Sequence, residues 1–278
     1  YLEIIRIIVE DNMYKLIALD MDGTLLNSEK KVSAKTKEAL KYAIDKGVRV
    51  VIATGRPIDG VERYLEELNL ISEDDYVLSF NGALVRNAKT KEAISKDAIK
   101  GADYKYLYEI SKDLGVNIHA FSLYGCHTPK MSKYSEVEAR LNQINIAIKA
   151  VEEVDSEEPI IKVMMVDEPE VLERAVKGLP KEVYDRYTVV RSTPYFLEFL
   201  SKSCNKGEGL RKLAEYLNIK QEEIIACGDA ENDHHMIEYA GLGVAMGNGT
   251  EETKKIANYI TKSNNEDGIA HVIYKFIK

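Results

Sequence analysis

Five aliphatic runs, at residues 14–19, 48–53, 76–80, 223–227 and 242–245, punctuate this chain, and amphipathic stretches stand between them. That rhythm narrows the possible folds more than any other feature. A run that is apolar on both faces must be covered on both, and a strand reaches a parallel neighbour only through a crossover of about a dozen residues or more. Residues 33–46, closed by Gly47, and residues 206–217, 231–240 and 267–276 carry the spacing of such crossover helices. The pattern predicts an α/β fold with a doubly wound, parallel, Rossmann-like sheet.

The rhythm breaks after Asn81 and Gly82. Segments 83–86, 88–91 and 92–95 read as short exposed strands with charged turns, and 104–114 and 135–150 as helices. Beyond them, 160–166 reads as a strand, 169–178 as a helix, and 187–191 and 196–200 as strands. We therefore expect a discontinuous core, residues 13–83 and 195–278, interrupted by an inserted α/β module at 84–194. Length agrees, because 278 residues exceed one ordinary domain and fall short of two large ones.

Composition excludes several classes. Apolar residues at 45% and charged ones at 30%, with six prolines, describe a folded chain and not a disordered or fibrous one. Forty-six acidic against 38 basic residues leave a formal charge of −8, the wrong sign for gripping phosphate backbones, so no nucleic-acid partner is expected. No apolar run approaches the ~20 residues of a bilayer span, so no membrane partner is expected either. Cys126, Cys204 and Cys227 are too few and too scattered for a disulfide framework or a zinc knuckle, and suit a reducing, cytoplasmic setting. Residues 1–12 precede Met13 without the basic start and cleavage site of a signal peptide, and read as a non-native or upstream extension. Oligomeric state stays open.

In an open parallel sheet, ligands sit at the carboxyl ends of the strands. Three such ends are loaded: Asp20-Met21-Asp22-Gly23-Thr24, Thr54-Gly55-Arg56, and Gly228-Asp229-Ala230-Glu231-Asn232-Asp233. Carboxylates crowded from two strand ends cost stability unless a cation or hydrogen bonds offset them. A hard divalent ion answers that need. Mg²⁺ suits best, because it accepts a few carboxylates, keeps some waters and leaves room for phosphate oxygens. Beside a phosphate so held, Asp20 is a reasonable nucleophile and Asp22 a reasonable general acid and base.

Taken in order, Asp20-Met21-Asp22-Gly23-Thr24, Thr54-Gly55-Arg56, Lys206 and Gly228-Asp229-x-x-Asn232-Asp233 resemble the four motifs of the haloacid dehalogenase superfamily, over residues 13–278. The insert between the second and third motifs resembles the C2 (type IIB) cap of its Cof-type phosphatase subgroup. The resemblance implies that Asp20 is the nucleophile and a metal ligand, Asp22 the acid/base and a ligand through its backbone carbonyl, and Asp229 the third protein ligand. It places Thr54, Gly55, Met21, Lys206 and Asn232 around the phosphoryl oxygens, Arg56 and Asp233 in support, and Asn81 at the junction with the insert, facing the pocket. The implied activity is Mg²⁺-dependent hydrolysis of a small phosphorylated metabolite, sugar phosphates above all, through an aspartyl-phosphate. A phosphomutase and a non-catalytic phosphometabolite sensor are the rival readings.

Each motif alone says less. Asp20-x-Asp22-Gly23 is equally a turn or a fragment of a calcium loop, Thr54-Gly55-Arg56-Pro57 a helix entry, and Lys206 a surface lysine. His234 and His235 lie about 100° apart on a helix and read as surface or packing residues. His119 and His127, in the insert, are read equally as ordinary histidines or as part of a substrate-reading loop, and Glu231 is left without a role.

Overall fold

The structure, a computed structural model, describes residues 14–278. The reading of residues 1–12 as an extension lies outside the described residues. The chain packs as two compact units, one made of residues up to Val51 together with Leu217–Lys278, the other of Ile52–Tyr216.

In the first unit the strands stand in the order Tyr259–Ile260, Leu242–Ala245, Ile224–Gly228, Leu16–Leu19, each parallel to the next. All four residues of Leu16–Leu19 are fully buried, as a strand covered on both faces requires. Leu16 lies opposite Ile224 and Leu19 opposite Cys227, a register that brings the carboxyl ends of both strands level. The crossover helix Ala34–Asp45 is started by Ser33, whose hydroxyl accepts the Thr36 N–H, and ended by left-handed Gly47 at φ 80°. It packs on helix Gly268–Phe276, while helix His234–Tyr239 covers Leu242–Ala245 and Ile224–Gly228. The expected helix at 231–240 begins later than foreseen, since Glu231–Asp233 forms a 3₁₀ turn.

Strand Arg49–Ala53 crosses the division between the units. In the second unit Ile52 and Ala53 pair in parallel with Val77 and Leu78 of strand Tyr76–Ser79, and strands Leu84–Asn87 and Ala93–Lys96 follow antiparallel. Segment 88–91, expected as a strand, is the turn between them. There the Asn87 side-chain oxygen accepts the N–H groups of Lys89 and Thr90, and Lys91 turns left-handed.

A second sheet in this unit runs in the order Tyr187–Thr193, Phe196–Ser201, Pro159–Val166, Asn117–Ser122, Gly125–Thr128, Ile146–Ile148. The helix expected at 135–150 is only Lys133–Asn142. Gln143 turns left-handed at φ 56° and the chain returns as strand Ile146–Ile148. One apolar cluster of this unit joins Tyr104, Leu107, Val163, Leu172 and Phe199, and another joins Phe80, Leu84, Phe121, Met164 and Cys204. The fold class is the one expected: a Rossmann-like parallel sheet with an added α/β module. No helix among the described residues is long and apolar enough to cross a membrane.

Candidate active site

In the first unit, Asp20 follows strand Leu16–Leu19 directly, is 5% exposed, and donates its backbone N–H to the Cys227 carbonyl at 2.9 Å. Asp229 follows strand Ile224–Gly228, and the Thr24 hydroxyl donates to its Oδ1 at 2.9 Å. Gly23 has φ 88°, and a side chain there would run into the Asp229 carboxylate, so the turn needs glycine twice over. Asp233 is fully buried, and its Oδ2 accepts the N–H groups of Asp229 at 2.9 Å and Ala230 at 3.1 Å.

Carboxylate oxygens of Asp20, Asp229 and Asp233 lie within 4.8 Å of one another. Three like charges so close, two of them buried, are costly unless compensated, and an all-oxygen carboxylate donor set suits a hard divalent cation. The residues present fit such an ion. The resemblance implies a metal set of Asp20, Asp229 and the backbone carbonyl of Asp22, with Asp233 in support. The structure gathers the side chains of Asp20, Asp229 and Asp233, while the Asp22 carboxylate pairs with Lys30 at 2.7 Å. Met21 is fully buried and Asn232 sits exposed on the 3₁₀ turn. His234 meets the Thr253 hydroxyl at 2.9 Å, and His235 is exposed.

Two residues of this neighbourhood escaped the sequence reading. Lys30 is one. The other is Asn248, whose amide donates to the Gly23 carbonyl at 2.8 Å while its Oδ1 accepts the Asn264 N–H. It lies just past strand Leu242–Ala245, so the strand-end rule that found Asp229 would have found it too.

In the second unit, Thr54 is 2% exposed and donates its N–H to Leu78, and its hydroxyl accepts the Arg56 N–H at 3.1 Å. Gly55 lies against the Asn81 carboxamide, close enough that a Cβ there would sit 3.1 Å from Asn81 Oδ1. Lys206 opens helix Lys206–Leu217 and is fully buried, and Gly82 lies against its Cα. Arg56 stands 5.9 Å from the centre of the Tyr64 ring. Thr54, Gly55, Asn81 and Lys206 are thus linked through contacts of the segment 80–82.

Carboxylates gathered at adjoining parallel strand ends, on a Rossmann-like sheet carrying an α/β insert, define a class of phosphoryl-handling enzymes. The chain belongs to the haloacid dehalogenase-like hydrolases, whose family model matches residues 17–273, and to their Cof-type phosphatases. It is 45% identical over 267 residues to YxeH of Bacillus subtilis (strain 168), a phosphatase by name, across 95% of this chain and 99% of that one. A haloacid dehalogenase-like hydrolase from Bacteroides thetaiotaomicron has the same fold with TM-score 0.85 at 35% identity, covering 94% of this chain and 99% of its own. The HAD subclass IIB sugar phosphatase BT4131 follows with TM-score 0.76 at 28% identity, covering 94% and 98%.

Proposed function

We propose that this protein hydrolyses small phosphomonoesters, sugar phosphates foremost, with Mg²⁺ and through an aspartyl-phosphate on Asp20. The observation that carries the reading is the meeting of the Asp20, Asp229 and Asp233 carboxylates at two neighbouring strand ends. When bound there, the cation lowers the repulsion between the phosphate and Asp20 and offsets charge that builds on the phosphoryl oxygens.

A carboxylate oxygen of Asp20 forms the new bond to phosphorus as the bond to the ester oxygen breaks, and Asp22 gives its proton to the departing alkoxide. Water then attacks the phosphoaspartate, Asp22 takes the water's proton, and inorganic phosphate leaves Asp20 free. General acid and base help of this kind contributes about 10²- to 10⁴-fold. In this reading Met21 and Gly55 offer backbone N–H groups, and Thr54, Lys206 and Asn232 offer side-chain donors, to the phosphoryl oxygens. Arg56 supports the Thr54 loop, Asn81 faces the ester, and the insert at 84–194 chooses the leaving group. A sugar phosphate as substrate is supported by likeness to BT4131. A cytoplasmic setting is supported by three buried free thiols.

The test is phosphate release from hexose, pentose and nucleoside phosphates with Mg²⁺ or with EDTA, beside Asp20→Asn. Metal-dependent release that Asp20→Asn abolishes is the expected result. Transfer of phosphate between sugar hydroxyls without release points to a mutase, and binding without turnover to a sensor.

A further inference from the structure

Phe80, Asn81 and Gly82 are three consecutive residues in the left-handed region, at φ 51°, 56° and 87°. Glycine adopts that region freely and asparagine tolerates it, but a bulky aromatic there is an outlier that persists only where its surroundings over-determine it. The surroundings are specific. The Phe80 N–H donates to the Arg56 carbonyl at 3.1 Å and the Asn81 N–H to the Thr54 carbonyl at 2.9 Å. The Cys204 thiol lies 3.5 Å from the carbonyl oxygens of both Phe80 and Asn81, within reach for a sulfur donor. Burial pushes that thiol up to about 12, so it keeps the proton it donates.

On the other side, the Phe80 ring packs edge-on to Phe121 with centroids 5.4 Å apart. The Lys162 ammonium caps both rings, at 5.7 Å from Phe80 and 5.1 Å from Phe121. Lys162 is 3% exposed and pairs with Glu198 at 3.2 Å. A buried ion pair is seldom more stabilising than apolar side chains of the same volume. Its presence beneath a strained aromatic therefore asks for another role.

That role follows from what the turn touches. It sets the Asn81 carboxamide against Gly55 and lays Gly82 on the backbone of Asn205 and Lys206, where a Cβ on Gly82 would meet the Asn205 carbonyl. Gly209 completes the fit, since a Cβ there would lie 2.8 Å from Gly82 Cα. One bend thus sets the positions of Gly55, Asn81 and the helix start that carries Lys206.

We propose that Lys162, Glu198 and Cys204 are positioning residues of this hydrolase, which clamp the left-handed Phe80–Gly82 turn and through it align the groups that grip the phosphoryl oxygens. The inference rests on the reading of Gly55, Asn81 and Lys206 given above. The closing experiment uses Lys162→Met together with Glu198→Gln, so that neither member of the ion pair is left without the other, beside Lys162→Arg and Cys204→Ala. For each folded variant, kcat and KM with p-nitrophenyl phosphate, inhibition by inorganic phosphate, and a crystal structure of the double variant are determined.

The double variant is expected to lose about ten- to hundredfold in kcat, to bind inorganic phosphate more weakly, and to show Phe80 relaxed to negative φ. Lys162→Arg, which keeps the cation, is expected to retain most of the activity, and Cys204→Ala to show a smaller loss than the double variant. A folded double variant with wild-type kcat and phosphate inhibition overturns the proposal, as does a crystal structure with the turn unchanged. A wild-type protein that hydrolyses no ester overturns the phosphatase reading instead, and the turn in the variant crystal then decides the clamp by itself.

Discussion

Two clusters of charge in this protein differ in what they are built to accept. Asp20, Asp229 and Asp233 bring three carboxylates within 4.8 Å of one another, and Asp229 and Asp233 accept from neutral groups, the Thr24 hydroxyl and the N–H groups of Asp229 and Ala230. Lys162 holds its ammonium against the Phe80 and Phe121 rings and answers it with the carboxyl of Glu198 and the charge of nearby Glu138. Burial, against the opposing pull of Lys162, raises the Glu138 carboxyl above its ordinary range. On the reading proposed above the acidic set is completed by a bound cation, whereas the mixed set pairs its charges internally.

Substitutions can break or sharpen that contrast. The largest effect belongs to Asp20→Asn, which is expected to reduce phosphate release to background and to weaken the rise in melting temperature that added Mg²⁺ produces. A thermal shift with Mg²⁺ as large as that of the wild type would end the reading of Asp20 as a metal ligand. Asp22→Asn comes next, with an expected loss of about 10²- to 10⁴-fold in kcat. Its thermal shift on adding Mg²⁺ should persist, since its carboxylate pairs with Lys30.

In the mixed cluster, Lys162→Met alone strands Glu198 and is expected to cost about 3–5 kcal/mol in a denaturant titration, most of it recovered by adding Glu198→Gln. Equal costs for the single and double variants would show that the pair is not self-contained. The smallest effect concerns acidity. Burial first, then the charges of Lys162 and His127, pushes His119 from 6.5 down to about 3. The unfolded chain therefore takes up this proton first. Stability from His119 is whole above pH 6.5 and drains as pH falls toward 3, by about 2 kcal/mol at pH 5. Denaturant titrations at pH 7 and 5, with His119→Leu as the control that loses less, measure it.

The sequence announced the first cluster and hid the second, for a physical reason. Asp20 and Asp229 follow doubly buried aliphatic strands, so their place at the sheet's carboxyl edge could be read from a few residues on either side. Helices Pro169–Gly178 and Lys206–Leu217 and strand Leu242–Ala245 fell where expected, because glycine, proline and unbroken apolar spacing marked their limits. Lys162 sits in a segment correctly read as a strand, yet its partner Glu198 lies on another strand that no local window connects to it.

Other misses share a cause. Strands Asn117–Ser122 and Gly125–Thr128 bury His119, His127 and Thr128, and polar residues facing inward erase the alternation that reveals a strand. The helix ending at Asn142 and the turn at 88–91 depend on left-handed Gln143 and Lys91, residue types that give no warning of positive φ.

The register that levels Asp20 with Asp229 also governs how the protein is made. Leu16 pairs with Ile224, more than 200 residues further on. At roughly 5–20 residues per second, a ribosome needs about 10–40 s between the two. Throughout that interval a wholly aliphatic strand has been synthesised without one of its two neighbours, Ile224–Gly228, and that edge stays open to chaperones and to the wrong partners, while the intervening residues 52–216 can already pack among themselves. The sheet that carries Asp20 is therefore a late product of synthesis, and slowing translation should lengthen its exposure more than that of any strand within 52–216.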